Sequence, residues 1–317
     1  MFSELAQWTL EFKKVKPGQE VLICVSPDTD PTRYSALVTH CKAMGAVPHV
    51  LVVNTPKEAI GLWSVGRGVK LPRTVAAALK ATDFIYWFCD FDPAFLQEIK
   101  DAGEKGAQFM FGWPPVLQEA TWHIRDIDMH AVIARGKKWE EMLNKLVGKK
   151  FRLVTDGEEL TGTTKPFYSF GPGERKAGWT QGECMSTGFF GDANGVQNVD
   201  WIGVCSDVLP GKRARLTVRD GVLVKAEGEL GEMFWKILKS VDDPNIYKMC
   251  EFAIGMNPHT RMGLTAQGAP NIPATVPPYH EVKMSEGTVH TAWGDSGGRT
   301  EPGVIAKLHI DTISFKP

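Results

Sequence analysis

No stretch of this chain reaches the roughly 18 consecutive apolar residues of a membrane-spanning helix, so no membrane span is expected. No Gly-x-Gly-x-x-Gly follows the first strand-like run, and Gly-x-x-x-x-Gly-Lys-Ser/Thr occurs nowhere. The dinucleotide and P-loop readings thereby lose the glycines that let a backbone approach phosphate. Cys-x-x-Cys spacing is also missing. The cysteines (Cys24, Cys41, Cys89, Cys184, Cys205 and Cys250) are scattered, which excludes a zinc ribbon or a disulfide framework and fits reduced thiols in a cytoplasm. Met1 to Lys14 mixes Glu4, Glu11 and lysines among apolar residues, so no signal peptide is expected either. A formal charge of −1 provides no field for nucleic acid or an anionic membrane.

What is present describes a globular protein. The 317 residues, 43% of them hydrophobic, suffice for two well-buried domains. Ten tryptophans are many; most belong in cores, and some are compatible with a cleft or an interface.

The first half alternates strand-like and helix-like segments. Glu20–Val25 is a short apolar run, Thr32 to Gly45 a helix stopped by its glycine, and Pro48 to Val53 a second strand. Thr74 to Ala81 reads as a helix, Asp83 to Phe88 as a strand, Pro93 to Gly103 as a helix and Gln108–Phe111 as a strand. That order predicts an α/β fold with a mostly parallel sheet flanked by helices. Gly136 to Lys150 reads as a basic connecting helix. Beyond it, period-two runs separated by Asp156-Gly157 and Asp220-Gly221 predict an α+β domain with antiparallel sheet. Leu230 to Val241 inserts a helix closed by Asp242-Asp243-Pro244. The expected domains are 1–147 and 148–317, the second carrying the candidate metal site.

Metal-ligand side chains gather late in the sequence. His259, His280, His290 and His309 all fall in the final fifth. In Leu308-His309-Ile310-Asp311 an extended backbone points the imidazole and the carboxylate to one face, where they can chelate a divalent cation. Glu251 opens a short apolar run that ends at Gly255 and Asn257-Pro258, and Glu183 follows Gly182 at the start of another strand. Glu183, Glu251, His290, His309 and Asp311 together offer three carboxylates and two imidazoles, a set suited to one or two divalent metals.

The run from Glu251 through Asn257-Pro258, then Gly287-Thr288-Val289-His290, then His309-Ile310-Asp311, resembles the thermophilic metallo-aminopeptidases of the aminopeptidase T and S family. An upstream Gly-Glu of that family matches Gly182-Glu183. The resemblance implies that Glu183, Glu251, His290, His309 and Asp311 are all metal ligands. The chain also resembles the 2,5-dihydroxypyridine 5,6-dioxygenases in length, in Pro17 to Val21 and Asp28 to Arg33, in Gly178-Trp179 and in Val208-Leu209-Pro210. In that branch a His at the position of Glu251, with the pair matching His309 and Asp311, holds iron.

The sequence departs from both patterns. Position 251 is Glu rather than His, and Met284-Ser285-Glu286 replaces the aminopeptidases' Asp-Glu-Lys. Asp295-Ser296-Gly297-Gly298 stands where that family carries a Tyr.

The resulting expectation is a metal-dependent hydrolase on an aminopeptidase-like scaffold, attacking a lactone, amide or peptide carbonyl of a small substrate. Glu183 would relay the proton. The alternative is a non-haem Fe(II) ring-cleaving dioxygenase. The cofactor expected is a divalent metal, zinc first, then Fe(II), Mn or Co. His259, His280, Arg261 and Arg299 are the candidate substrate-binding residues, because guanidinium forks match carboxylates. The partners expected are a small-molecule substrate and further copies of the chain in a homo-oligomer, with neither nucleic acid nor membrane.

Overall fold

The structure, a computed structural model, describes residues 6–7, 9–11, 13–56, 70–89, 91, 93, 96–111, 129–169, 182–256, 283–297 and 302–315. Those up to Ala131 belong to one compact unit and those from Val132 onward to a second. None of the described helices is long and apolar enough to cross a membrane.

The first unit is the expected α/β layer. Its elements are β1 (Glu20–Val25), α1 (Thr32–Ala43), β2 (Val47–Val52), α2 (Arg73–Lys80), β3 (Phe84–Phe88), α3 (Gln97–Glu104) and β4 (Gln108–Phe111). The four strands pair in parallel in the order β2-β1-β3-β4. Alternate residues of β1 and β3 feed two separate cores. Val21, Ile23, Phe84, Tyr86 and Phe88 pack with Leu37 and Cys41 of α1. Leu22, Cys24, Ile85 and Trp87 pack with Val75 and Leu79 of α2 and Ile99 of α3. A strand buried on both faces cannot afford polar alternation, which is why these segments read as unbroken apolar runs. Gly45 closes α1 at φ +78°, with its N–H donating to the Lys42 carbonyl.

The second unit begins at Val132, within α4 (Met129–Asn144), a helix that starts seven residues ahead of the expected Gly136. Gly136 is not a helix start but a close approach. A Cβ there would lie 3.1 Å from Met256 Cε and 3.3 Å from the Ser169 side chain. The helix also stops earlier than expected, because Lys150 already belongs to a strand.

That strand is β5 (Lys150–Thr155), followed by β6 (Glu158–Thr163), β7 (Phe167–Tyr168), β8 (Glu183–Thr187), β9 (Asn194–Val199) and β10 (Trp201–Ile202). Next come α5 (Gly203–Val208), β11 (Ala214–Arg219), β12 (Val222–Glu227) and α6 (Gly228–Ser240). The chain then adds β13 (Met249–Gly255), β14 (Val289–Gly294) and β15 (His309–Ser314).

Five strands form one antiparallel sheet, β12-β11-β9-β6-β5, and six form another, β10-β15-β14-β13-β8-β7. Both Asp-Gly hairpins have positive φ at both central residues, 49° and 81° at Asp156-Gly157 and 47° and 70° at Asp220-Gly221. That is the turn whose twist matches paired strands. One face of the six-stranded sheet packs on the five-stranded sheet. Phe252 stacks on Phe151 at 4.5 Å, and Thr291 Oγ1 donates to Gln197 Oε1 at 2.9 Å. Trp201 and Trp293 are wholly buried. The opposite face of β13, β14 and β15 carries the polar cluster.

Candidate metal centre

Antiparallel register assembles the cluster from four strands. Gly255 of β13 pairs with Glu183 of β8, and Ala253 with His290 of β14. Ala292 of β14 stands opposite both Glu251 and Asp311, and Gly294 opposite His309. Directly paired residues share a face, so the five candidate ligands point one way, with Ala253 and Ala292 leaving room between them. The period-two argument for His309 and Asp311 therefore holds. A bulge between Met249 and Glu251 sets two β13 residues against one on β14. Cys250 consequently lies beside the cluster, its Sγ 3.7 Å from His309 Nδ1.

All five are buried, from 0% exposed at His290 to 6% at Glu183. His290 Nε2 lies 2.9 Å from Glu251 Oε1 and 3.4 Å from Glu183 Oε2. His309 Nε2 lies 3.3 Å from Asp311 Oδ1 and 4.0 Å from Glu251 Oε2. Two triads share Glu251: Glu183, Glu251 and His290, and Glu251, His309 and Asp311. In each, one donor atom per residue lies within 4.8 Å of the others, close enough for a common metal ion.

A sixth member escaped the sequence reading. Lys283 is buried, and its ammonium is 3.3 Å from Asp311 Oδ2, 3.4 Å from Glu183 Oε2 and 3.5 Å from Glu251 Oε1. An isolated lysine reads as surface, and no local signal could have placed it here. Its segment is fastened to the end of β13: Thr288 Oγ1 donates to the Ser285 carbonyl at 2.8 Å, and the Gly255 N–H donates to the Thr288 carbonyl at 2.9 Å. Gly255 has no Cβ because one would run into the Ser285 carbonyl oxygen and Thr288 Oγ1.

Burial opposes the charge of Glu251, yet the Lys283 ammonium and the hydrogen bond from His290 outweigh it. They hold this carboxyl below its usual range. Burial first, and Lys283 second, lowers His290 to about 4. His309 is also lowered, by burial and Lys283 against the pull of Glu251. Both imidazoles are thus neutral near pH 7. Burial, reinforced by the charges of Glu251, Asp311 and Asp295, raises the Cys250 thiol far above its usual value, so it stays protonated.

These residues fit a divalent cation. His309 Nδ1 lies 2.7 Å from the backbone carbonyl oxygen of Asp295, an atom that can only accept. Nδ1 therefore carries the proton, and Nε2 turns its lone pair toward Asp311 Oδ1. Two acceptors 3.3 Å apart in a buried site repel unless a cation or proton joins them. A ligand His oriented through its far nitrogen is the usual outer-sphere arrangement. The turn that follows β14 supplies this carbonyl. Asp295 is itself held in place, its carboxylate accepting from the N–H groups of Gly297 and Ala306. His259, His280, Arg261 and Arg299, the candidate substrate contacts, lie outside the described residues.

No family model matches the sequence, and no curated protein matches it either. Solved structures do match its fold. A 2,5-dihydroxypyridine dioxygenase from Pseudomonas putida superposes with a TM-score of 0.77 at 15% identity, covering 99% of this chain and 93% of that one. Wild-type AmpT from Thermus thermophilus superposes with a TM-score of 0.65 at 14% identity, covering 99% and 92%. The chain thus shares, over essentially its whole described length, the fold of the two enzyme groups that its motifs resemble.

Proposed function

We propose that this protein is a metal-dependent hydrolase that directs water at a carbonyl of a small substrate, a lactone, amide or peptide. The observation that carries the reading is the donor set. Three buried carboxylates outnumber two neutral imidazoles, and the triad whose histidine is oriented has one His and two carboxylates. Oxygen-activating non-haem iron sites use two His and one carboxylate. An oxygen-rich set instead suits zinc or manganese acting as a Lewis acid.

A divalent cation held there supplies polarisation of a carbonyl and acidification of a water. The chain's own residues do the rest. Asp311 and Glu251 supply negative charge, and His309 a neutral nitrogen fixed by Asp295. Glu183, outside the Glu251–His309–Asp311 triad, accepts the proton lost by the water and returns it to the leaving group. The buried surroundings keep bulk solvent from competing with these contacts. The better superposition on the dioxygenase supports the second reading, Fe(II)-dependent ring cleavage.

The discriminating experiment loads the metal-free protein separately with Zn2+, Mn2+ and Fe2+. Hydrolysis of a panel of lactones, esters and aminoacyl amides is then measured alongside oxygen uptake on dihydroxypyridines. Turnover with Zn2+ or Mn2+ and no oxygen uptake supports the hydrolase; oxygen uptake with Fe2+ alone replaces it with ring cleavage.

A further inference from the structure

We propose that Lys283 is a built-in cation: its ammonium holds the Glu183–Glu251–His290 side of the cluster, so that the centre takes one divalent ion, among Glu251, His309 and Asp311. The inference rests on the metal-dependent reading above and concerns how many ions that site accepts.

Three observations converge on it. The first is the division of oxygens. Lys283 Nζ approaches Glu183 Oε2, Glu251 Oε1 and Asp311 Oδ2 at 3.4, 3.5 and 3.3 Å. His309 Nε2 faces the other oxygen of each shared carboxylate, Glu251 Oε2 and Asp311 Oδ1. Both carboxylates thus turn one oxygen to the lysine and one to the histidine. Moreover, Glu183 Oε2 and Glu251 Oε1 are the very atoms that an ion beside His290 would need.

The second is charge. Three carboxylates around one ammonium carry a formal charge of −2, which a single divalent ion neutralises. A second ion would leave a buried double positive charge, which low polarisability penalises heavily.

The third is the unequal support of the histidines. His309 has its Nδ1 proton seated on the Asp295 carbonyl, as a ligand histidine requires. The buried Nδ1 of His290 has no hydrogen-bond partner among the described residues. With Nε2 donating its proton to Glu251 Oε1 at 2.9 Å, that Nδ1 is a bare acceptor, and His290 serves as a hydrogen-bond donor rather than a ligand.

The test counts ions. Full-length protein is stripped with chelator, titrated calorimetrically with Zn2+, dialysed and assayed for metal by mass spectrometry. In parallel, Mn2+-loaded protein is examined by electron paramagnetic resonance. Wild type is expected to hold one Zn2+ per chain and to show the spectrum of an isolated Mn2+. Lys283→Met, which keeps the stem and removes the charge, is expected to take two Zn2+ and show exchange-coupled Mn2+. Lys283→Arg is expected to stay at one.

Two ions in wild type would overturn this inference while leaving the metal reading intact; none would overturn both. One ion in a folded Lys283→Met would also overturn it. Should that variant not fold, the wild-type count and its manganese spectrum still decide.

Discussion

His309 donates its Nδ1 proton to the backbone carbonyl of Asp295 at 2.7 Å, and this one bond aims the opposite ring nitrogen at Asp311. The donor comes from the start of β15 and the acceptor from just past the end of β14, brought together by pairing of Gly294 with His309. The tautomer of the candidate ligand is therefore set by the sheet's register rather than by its sequence neighbours.

Asp295→Ala removes no ligand but frees the loop that presents this carbonyl, because the carboxylate no longer accepts from Gly297 and Ala306. Zn2+ affinity should fall about 10- to 100-fold, the usual cost of losing outer-sphere support. His309→Ala should lower it further. Competition with a fluorescent chelator measures both; equal affinities for Asp295→Ala and wild type would count against the orienting role.

Glu183→Gln should leave metal content at the wild-type level while kcat drops roughly 10²- to 10⁴-fold, as expected when a proton relay is removed. Metal analysis and steady-state kinetics on one preparation separate the roles. A variant that loses its metal would show that Glu183 is a ligand instead.

Acid should destabilise the metal-free fold from an unusually high pH. His290 is held at about 4 in the folded protein but titrates near 6.5 when unfolded. Between these values the unfolded chain binds more protons, so the contribution is whole above pH 6.5 and lost progressively towards pH 4. By linkage this amounts to about 3 kcal/mol at most. Glu251, held below its usual range, adds a further loss as pH falls below 4.5. Thermal melting in chelator should show the midpoint descending between pH 7 and 5, with a flatter descent in His290→Gln. A wild-type midpoint constant over that interval would refute the assignment.

Gly255→Ala places a methyl against the Ser285 carbonyl and Thr288 Oγ1. The cost should be about 1–3 kcal/mol, typical of overpacking, and the strain falls on the segment that carries Lys283. Denaturant unfolding with and without Zn2+ checks it. Stability equal to wild type would mean that the 283–288 turn yields easily.

Short-range physics made much of this molecule legible in advance. Residues two apart on a strand share a face, so His309-Ile310-Asp311 announced an imidazole and a carboxylate side by side. Asp-Gly between alternating runs announced both hairpins of the second unit, since few other residues accept positive φ twice in succession. The alternation of strands and helices announced a mostly parallel sheet flanked by helices. Gly136 misled, because a glycine inside a helix looks like a terminus until its neighbour across the packing is known.

Other features arose only when distant segments met. Glu183, Glu251 and His290 come within coordinating reach through antiparallel pairing of β8, β13 and β14, and no local pattern states which strands will pair. The bulge at Cys250, the Asp295 carbonyl behind His309 and the burial of Lys283 among three carboxylates follow from that pairing. The amino-acid order thus determined which side chains were available and which face of each strand they occupied, because those depend on backbone periodicity alone. Which nitrogen bears a proton, which oxygen faces the ammonium and which faces the imidazole were decided by tertiary structure, since electrostatic interactions act through space and not along the chain.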